Sequence, residues 1–158
     1  VPLATAMDTM AVDLGPPAPV LAICHSIGNP HAVLFVDDAE ALDVAHIGPI
    51  LEHHPLFPCR ANISFVHQLG ANRFRMRVWE RGSGITLACG SGASAVGVAA
   101  YRAGLSGRVN EIVMDGGMVV IDWQDDGTPS GRVVMQGPVA YVCRGTLADE
   151  LSHAVRTS

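Results

Sequence analysis

Charge is scarce in this chain. Asp, Glu, Lys and Arg make up only 16% of its 158 residues, against about 25% in an average soluble domain. Hydrophobic residues reach 49%, so the composition is globular, with a surface that reads as partly covered by something else. No Lys/Arg run occurs and the net charge is −5, which argues against nucleic acid or an anionic membrane as partner. No apolar stretch approaches the ~20 residues of a membrane span. No basic segment followed by an apolar one opens the sequence, so no secretory signal is visible and the expected location is cytoplasmic. The chain begins at Val1 and not at Met, which reads as a processed or cut start.

Cysteine is also sparse and scattered. Cys24, Cys59, Cys89 and Cys143 form no CxxC pair, so the pattern is neither a zinc site nor a dense disulfide framework. Free thiols in a reducing compartment are expected. Cys24 and Cys143 lie in apolar, strand-like surroundings that suit small buried hydrophobes. His46, His53 and His54 lack metal-ligand spacing and read as a solvated face, so no metal is expected. There is no internal repeat and no low-complexity segment. A length of 158 residues suits one domain over 1–158 with one core, not two.

What the sequence does contain is centred on the stretch from Trp79 to Ser94. A Gly/Ser-rich turn there carries Cys89 into a helix of small residues, Ala93 to Ala103, which Gly104 would end. A thiol at a helix N-terminus faces unpaired N–H groups and the positive end of the macrodipole. A thiolate is favoured there, and a substrate carboxylate could be held beside it. Gly90 and Gly92 let a ligand approach the backbone closely. On that basis Cys89, on an accessible turn, is expected to be the most reactive of the four thiols. The bland alternative is an inert, partly buried cysteine.

Along the chain, Met10 to Leu14 alternates like a strand that Gly15-Pro16-Pro17 stops, and Val20 to Ile27 is a second strand. It leads into the turn Gly28-Asn29-Pro30-His31, whose composition also suits an ordinary turn with no further role. Ala32 to Val36 is a short strand. A helix follows from the N-cap Asp43 to about His53, kinked or restarted at Pro49. Asn62 to Gln68 and Arg73 to Trp79 alternate and should pair antiparallel across Gly70-Ala71-Asn72. Arg73, Arg75 and Arg77 then share one face, read as solvated, opposite Phe74, Met76 and Val78. Glu80 and Arg81 close that strand, where functional groups tend to be held.

The helix after Cys89 is apolar nearly all round, so it should be buried with sheet wrapped about it. Val109 to Met114, Met118 to Trp123 and Gly131 to Gln136 read as strands joined by the turns Asp115-Gly116-Gly117 and Asp125-Asp126-Gly127. Val139 to Cys143 reads as a last strand, and Thr146 as the cap of a terminal helix carrying Leu147, Leu151 and Val155. The expected fold class is α+β: a curved, mostly antiparallel sheet wrapped around a central helix.

The run WERGSGITLACGSGAS, preceded by Gly28-Asn29-Pro30-His31 and by Phe57-Pro58-Cys59-Arg60-Ala61-Asn62, resembles the C-terminal half of diaminopimelate epimerase, a cofactor-independent amino-acid epimerase. The resemblance runs from about Met10 to about Gly145. It implies two pseudo-symmetric domains with the active site between them, of which this chain is one and the N-terminal half is absent. It implies interconversion of LL- and meso-diaminopimelate, in lysine and cell-wall precursor synthesis, by two cysteines acting on opposite faces of the α-carbon. By resemblance Cys89 is one of them, while Glu80 and His31 poise the thiols and take or return their protons. Asn29, Asn62, Glu80 and Arg81 fall at substrate-binding positions, Arg81 suiting a bidentate grip on the distal carboxylate. The Gly90 and Ser91 amides would hold a carboxylate at the helix N-terminus.

The implied partners are a small amino-acid substrate and the missing N-terminal domain, with a homodimer left open. No cofactor is implied. Without its other half the chain should be inactive alone. A stand-alone, non-catalytic ligand- or protein-binding domain of this fold is the alternative. Proline racemase-like isomerases share the two-thiol logic, but not the WERG and GNPH turns together.

Overall fold

The computed structural model describes residues 8–12, 20–124, 126–128 and 131–146. Nine strands and two helices follow in the order β1 (Asp8–Val12), β2 (Val20–Ser26), β3 (Pro30–Phe35), α1 (Val44–Glu52), β4 (Asn62–Gly70), β5 (Arg73–Glu80), β6 (Gly84–Ile85), α2 (Gly90–Arg102), β7 (Val109–Met114), β8 (Gly117–Gln124) and β9 (Arg132–Gln136). They form one sheet in the order β1-β2-β3-β4-β5-β7-β8-β9, with β6 paired to the C-terminal end of β5. Neighbours run antiparallel except β3/β4 and β5/β7. A parallel pair needs a crossover, and the two helices supply one each.

The alternation seen in sequence sorts the side chains into two cores on opposite faces of the sheet. On one face Ile23, Val33, Val66, Phe74, Met76 and Ile112 enclose α2. On the other, Leu34, Ile63 and Phe65 receive Val44 and Leu51 of α1. Small residues let α2 come close: a Cβ on Gly97 would stand 2.7 Å from the Cγ2 of Ile121. Gly48 does the same for α1, where a Cβ would lie 2.5 Å from the Trp79 ring. The curved sheet around a central helix is therefore as expected.

The helix ends follow local chemistry. Asp43 caps α1, accepting the N–H of His46, and Pro49 lies inside the helix without ending it. Beyond α2, Gly104 takes φ +72°, and the N–H groups of Gly104 and Leu105 return to the carbonyls of Tyr101 and Ala100, each at 3.0 Å. That is the paired closure which a left-handed glycine permits. The helix nevertheless begins at Gly90, three residues before the expected Ala93.

Three expectations need correction. Arg75 and Arg77 do not form a solvated face. The segment between β3 and α1 folds over them, so that Arg75 pairs with Glu40 as well as with Asp115 of the β7–β8 turn, and Arg77 donates to the carbonyls of Ala39 and Leu42 at 3.1 and 3.0 Å. Only Arg73 stays exposed, beside Glu111. Second, Val139–Cys143 is not a strand: Val139 is 98% and Val142 88% exposed, and no described strand pairs with the segment. Alternation makes a strand only where a sheet edge accepts the backbone. Third, Cys143 is consequently exposed, whereas Cys24 is buried as expected. The proposed terminal helix and the Gly15-Pro16-Pro17 stop lie outside the described residues. No described helix is long and apolar enough to cross a membrane.

Candidate active site around Cys89

Cys89 is the N-cap of α2. Its backbone is extended (φ −143°, ψ 103°), and its Sγ accepts the Gly92 N–H at 3.4 Å, the place usually taken by a Ser or Asp oxygen. The Ser91 Oγ lies 3.7 Å from the same sulfur. Gly92 packs closely here: a Cβ would stand 2.6 Å from Met76 Cε, which would have to swing aside, and 3.1 Å from Cys89 Sγ. The Gly90 and Ser91 amides, in the first turn, have no intrahelical acceptor.

The sequence expectation of an accessible, acidified thiol is not met. Cys89 is only 6% exposed. Burial pushes its pKa up and Glu80 pushes it further, while Ser91 and the Gly92 N–H pull the other way. The helix end acts in the expected direction, but desolvation and a neighbouring carboxylate outweigh it.

Glu80 is the last residue of β5 and lies on the same side of the strand as Met76 and Val78, which brings it to the N-terminus of α2. Its negative charge disfavours the Cys89 thiolate, and its carboxylate accepts from the Thr86 hydroxyl. Arg81, one residue on, is exposed. Its guanidinium donates to the Cys59 carbonyl at 3.0 Å, and its backbone N–H to Asn62 Oδ1 at 3.0 Å.

The Gly28–His31 turn comes to the same place from the other side. His31 is fully buried, and its Nε2 lies 2.9 Å from Asn29 Oδ1. An amide oxygen only accepts, so Nε2 carries the proton. Asn29 Nδ2 in turn donates to Ser91 Oγ at 3.4 Å. A polar chain thus runs from His31 through Asn29 and Ser91 to Cys89. Burial, with smaller contributions from His25 and Arg81, lowers the His31 pKa to about 4, so the ring is neutral at neutral pH. Asn62, 4% exposed, donates its Nδ2 to the Pro30 carbonyl at 3.0 Å while receiving Arg81. It therefore ties the two turns together.

Three polar residues at the site escaped sequence reading. Thr86 binds Glu80. His25 is the cross-strand neighbour of His31 and fully buried; it falls in phase with inward-facing Ile23, which could have flagged it. Glu52 accepts from the Trp79 indole and the Gly82 amide. It lies eight residues after Val44 and four after Gly48 on the buried stripe of α1, where a carboxylate is out of place.

Residues 23–142 match the model of the diaminopimelate epimerase family. The chain belongs to that family. It is 53% identical to a diaminopimelate epimerase of Rhodospirillum centenum over 151 residues, which cover 96% of this chain and 50% of the relative. The match to the enzyme of Acidiphilium cryptum is 52% over 148 residues, 93% of this chain and 52% of the relative. The chain spans about half the length of these diaminopimelate epimerases. In the solved structure of a hydroxyproline epimerase from Agrobacterium vitis, 44% of that chain superposes on 85% of this one with a TM-score of 0.54 at 15% identity, which shows a shared fold. All the residues gathered around Cys89, from Asn29 to Gly92, fall inside the stretch that matches diaminopimelate epimerase.

Proposed function

We propose that this chain supplies one side of the active site of a diaminopimelate epimerase, with Cys89 as one of two thiols that invert the α-carbon, the other coming from the half of the relatives' length that this chain does not span. The observation that carries this reading is the Cys89 thiol at the N-terminus of α2, joined through Ser91 and Asn29 to the buried His31, with the Glu80 charge felt at the sulfur. A carboxylate beside a buried thiol raises the cost of ionising it and adds nothing to packing, so it makes sense as a proton partner.

In the proposed step, one cysteine thiolate removes the α-proton. The Cα–H bond breaks as an S–H bond forms, and the electron pair is left delocalised toward the substrate carboxylate. The thiol on the opposite face gives up its proton to the carbon, which inverts the centre and exchanges the protonation states of the two sulfurs. Cys89, held protonated here, is the donor in one direction. In the other, Glu80 is assigned to take its proton first. The reading requires no cofactor. His31, Asn29 and Ser91 orient the thiol's surroundings, the Gly90 and Ser91 amides suit a substrate carboxylate, and Arg81 suits the distal one.

Exposed apolar side chains near these residues fit cover by a second domain: Ile85 and Leu87 are 45% and 69% exposed just ahead of Cys89, and Leu56 is 56% exposed ahead of Cys59. The test is Cys89→Ala in the chain paired with its complementary half, following conversion of LL- to meso-diaminopimelate. Stereoinversion is expected to vanish while the protein stays folded. Inversion that persists in the alanine variant would exclude Cys89 as the acid/base.

A further inference from the structure

We propose that Glu52 is a positioning residue, one that clasps the Trp79–Gly82 turn from behind and thereby sets where Glu80 and Arg81 stand relative to Cys89; the inference rests on the epimerase reading for what those two residues do. Glu52 ends α1 and is only 3% exposed. Its Oε2 accepts from the Trp79 Nε1–H at 2.7 Å and its Oε1 from the Gly82 N–H at 3.1 Å. The two donors are the residues immediately before and immediately after the Glu80-Arg81 pair, so one rigid carboxylate spans both ends of the turn.

The turn itself closes with Ser83 N–H on the Glu80 carbonyl at 3.0 Å and with Gly82 at φ +77°. Arg81 N–H is taken by Asn62. Consecutive amides of Arg81 and Gly82 are therefore each held by a buried side chain from a different element. Arg60, 53% exposed, lies 3.6 Å from the same carboxylate.

Burial raises the pKa of Glu52, but the Trp79 and Gly82 bonds, with His53 and Arg60, outweigh it and leave the pKa below the ordinary value. The group is thus ionised at neutral pH, and a buried carboxylate is tolerated only when its oxygens are satisfied in this way. Packing alone would be met at this position by an aliphatic residue. The carboxylate is explained by the two donors it fixes, and displacement of a reacting group by about 1 Å can cost on the order of 10²-fold in rate.

The experiment compares the unsubstituted chain with Glu52→Gln, whose single carbonyl oxygen can serve only one of the two donors. In the chain itself, hydrogen exchange at the Gly82 amide and Trp79 indole is expected to quicken by about tenfold or more, while the Ile121 amide is unchanged. Because Glu80 raises the Cys89 pKa, a displaced Glu80 should move the pH midpoint of Cys89 alkylation downward, in the direction expected for Glu80→Gln. In the chain paired with its complementary half, kcat is expected to fall by about 10–100-fold per folded molecule, beyond any change in KM.

Wild-type exchange, or faster exchange with an unmoved Cys89 midpoint and unchanged kcat, overturns the positioning role. Absence of turnover in the unsubstituted pair counts against the epimerase reading instead, and the Cys89 midpoint then decides the role of Glu52 by itself.

Discussion

The side-chain amide of Asn62 joins two turns, one 32 residues before it and the other 19 residues after it. It receives the Arg81 N–H on Oδ1 and donates Nδ2 to the Pro30 carbonyl, both at 3.0 Å. The first residue of β4 thus holds the start of β3 and the end of β5 together, and with them the two segments that carry His31 and Glu80. Read from sequence, Asn62 was a substrate-binding position. Its geometry here is that of a bridge, with each polar atom already engaged by backbone.

Asn62→Ala is therefore expected to destabilise the fold by about 1–3 kcal/mol, the cost of stranding a buried donor and acceptor. Asn62→Asp keeps the acceptor for Arg81 but sets a buried carboxylate oxygen against the Pro30 carbonyl, and should destabilise at least as much as alanine. Urea unfolding midpoints at constant m-value measure both. An alanine variant as stable as the parent would show that neither bond matters to the fold.

Alkylation should follow burial. Cys59 and Cys143, both exposed, are expected to react with a limiting reagent before Cys89 and Cys24, which are buried. Within Cys89, Glu80→Gln removes a group that holds the thiol protonated, so its reactivity should rise at a given neutral pH and the midpoint of its rate-against-pH curve should shift down. Mass-spectrometric peptide mapping reads both, and an unmoved midpoint would mean the two groups do not interact.

Acid stability is governed in part by the paired histidines. Burial is the main cause for both, with Arg102 adding to it at His25, and His25 and then Arg81 adding to it at His31. Each pKa is about 4 in the folded chain, against 6.5 unperturbed. As pH falls below 6.5 the unfolded chain binds these protons first, so stability drops between pH 6.5 and about 4 and levels off below that. At ~1.4 kcal/mol per proton per pH unit, two protons make this a steep dependence. His25→Leu should halve the two-histidine contribution to the slope, measured as unfolding free energy against pH. A slope unaffected by the substitution would assign the acid sensitivity elsewhere.

The elements that local chemistry decides were legible in the sequence. Phe74, Met76 and Val78 alternate inward as read, Asp43 and Gly104 bound their helices, and the small residues after Cys89 make a buried helix. What failed depended on partners far along the chain. Arg75 reads as solvated until a loop carrying Glu40 covers it. Val139–Cys143 has the pattern of a strand but pairs with no described strand. Cys89 has the helix terminus that acidifies a thiol, yet the burial and the Glu80 carboxylate that reverse the shift arise only when β5 and α2 are brought together. Glu52 and His25 were hidden for the same reason, since a polar residue on an apolar face has no stated purpose until its partners are known.

The most direct test of the account is deuterium incorporation at the α-carbon of diaminopimelate in deuterated water, measured for this chain alone, for its complementary half alone, and for the two combined. A single thiol reaches one face of the carbon, so the account predicts no stereoinversion by either half and inversion with deuterium incorporation by the combination. Inversion by this chain alone at the rate of the combined halves would contradict it, because a second acid/base group would then have to exist within these residues.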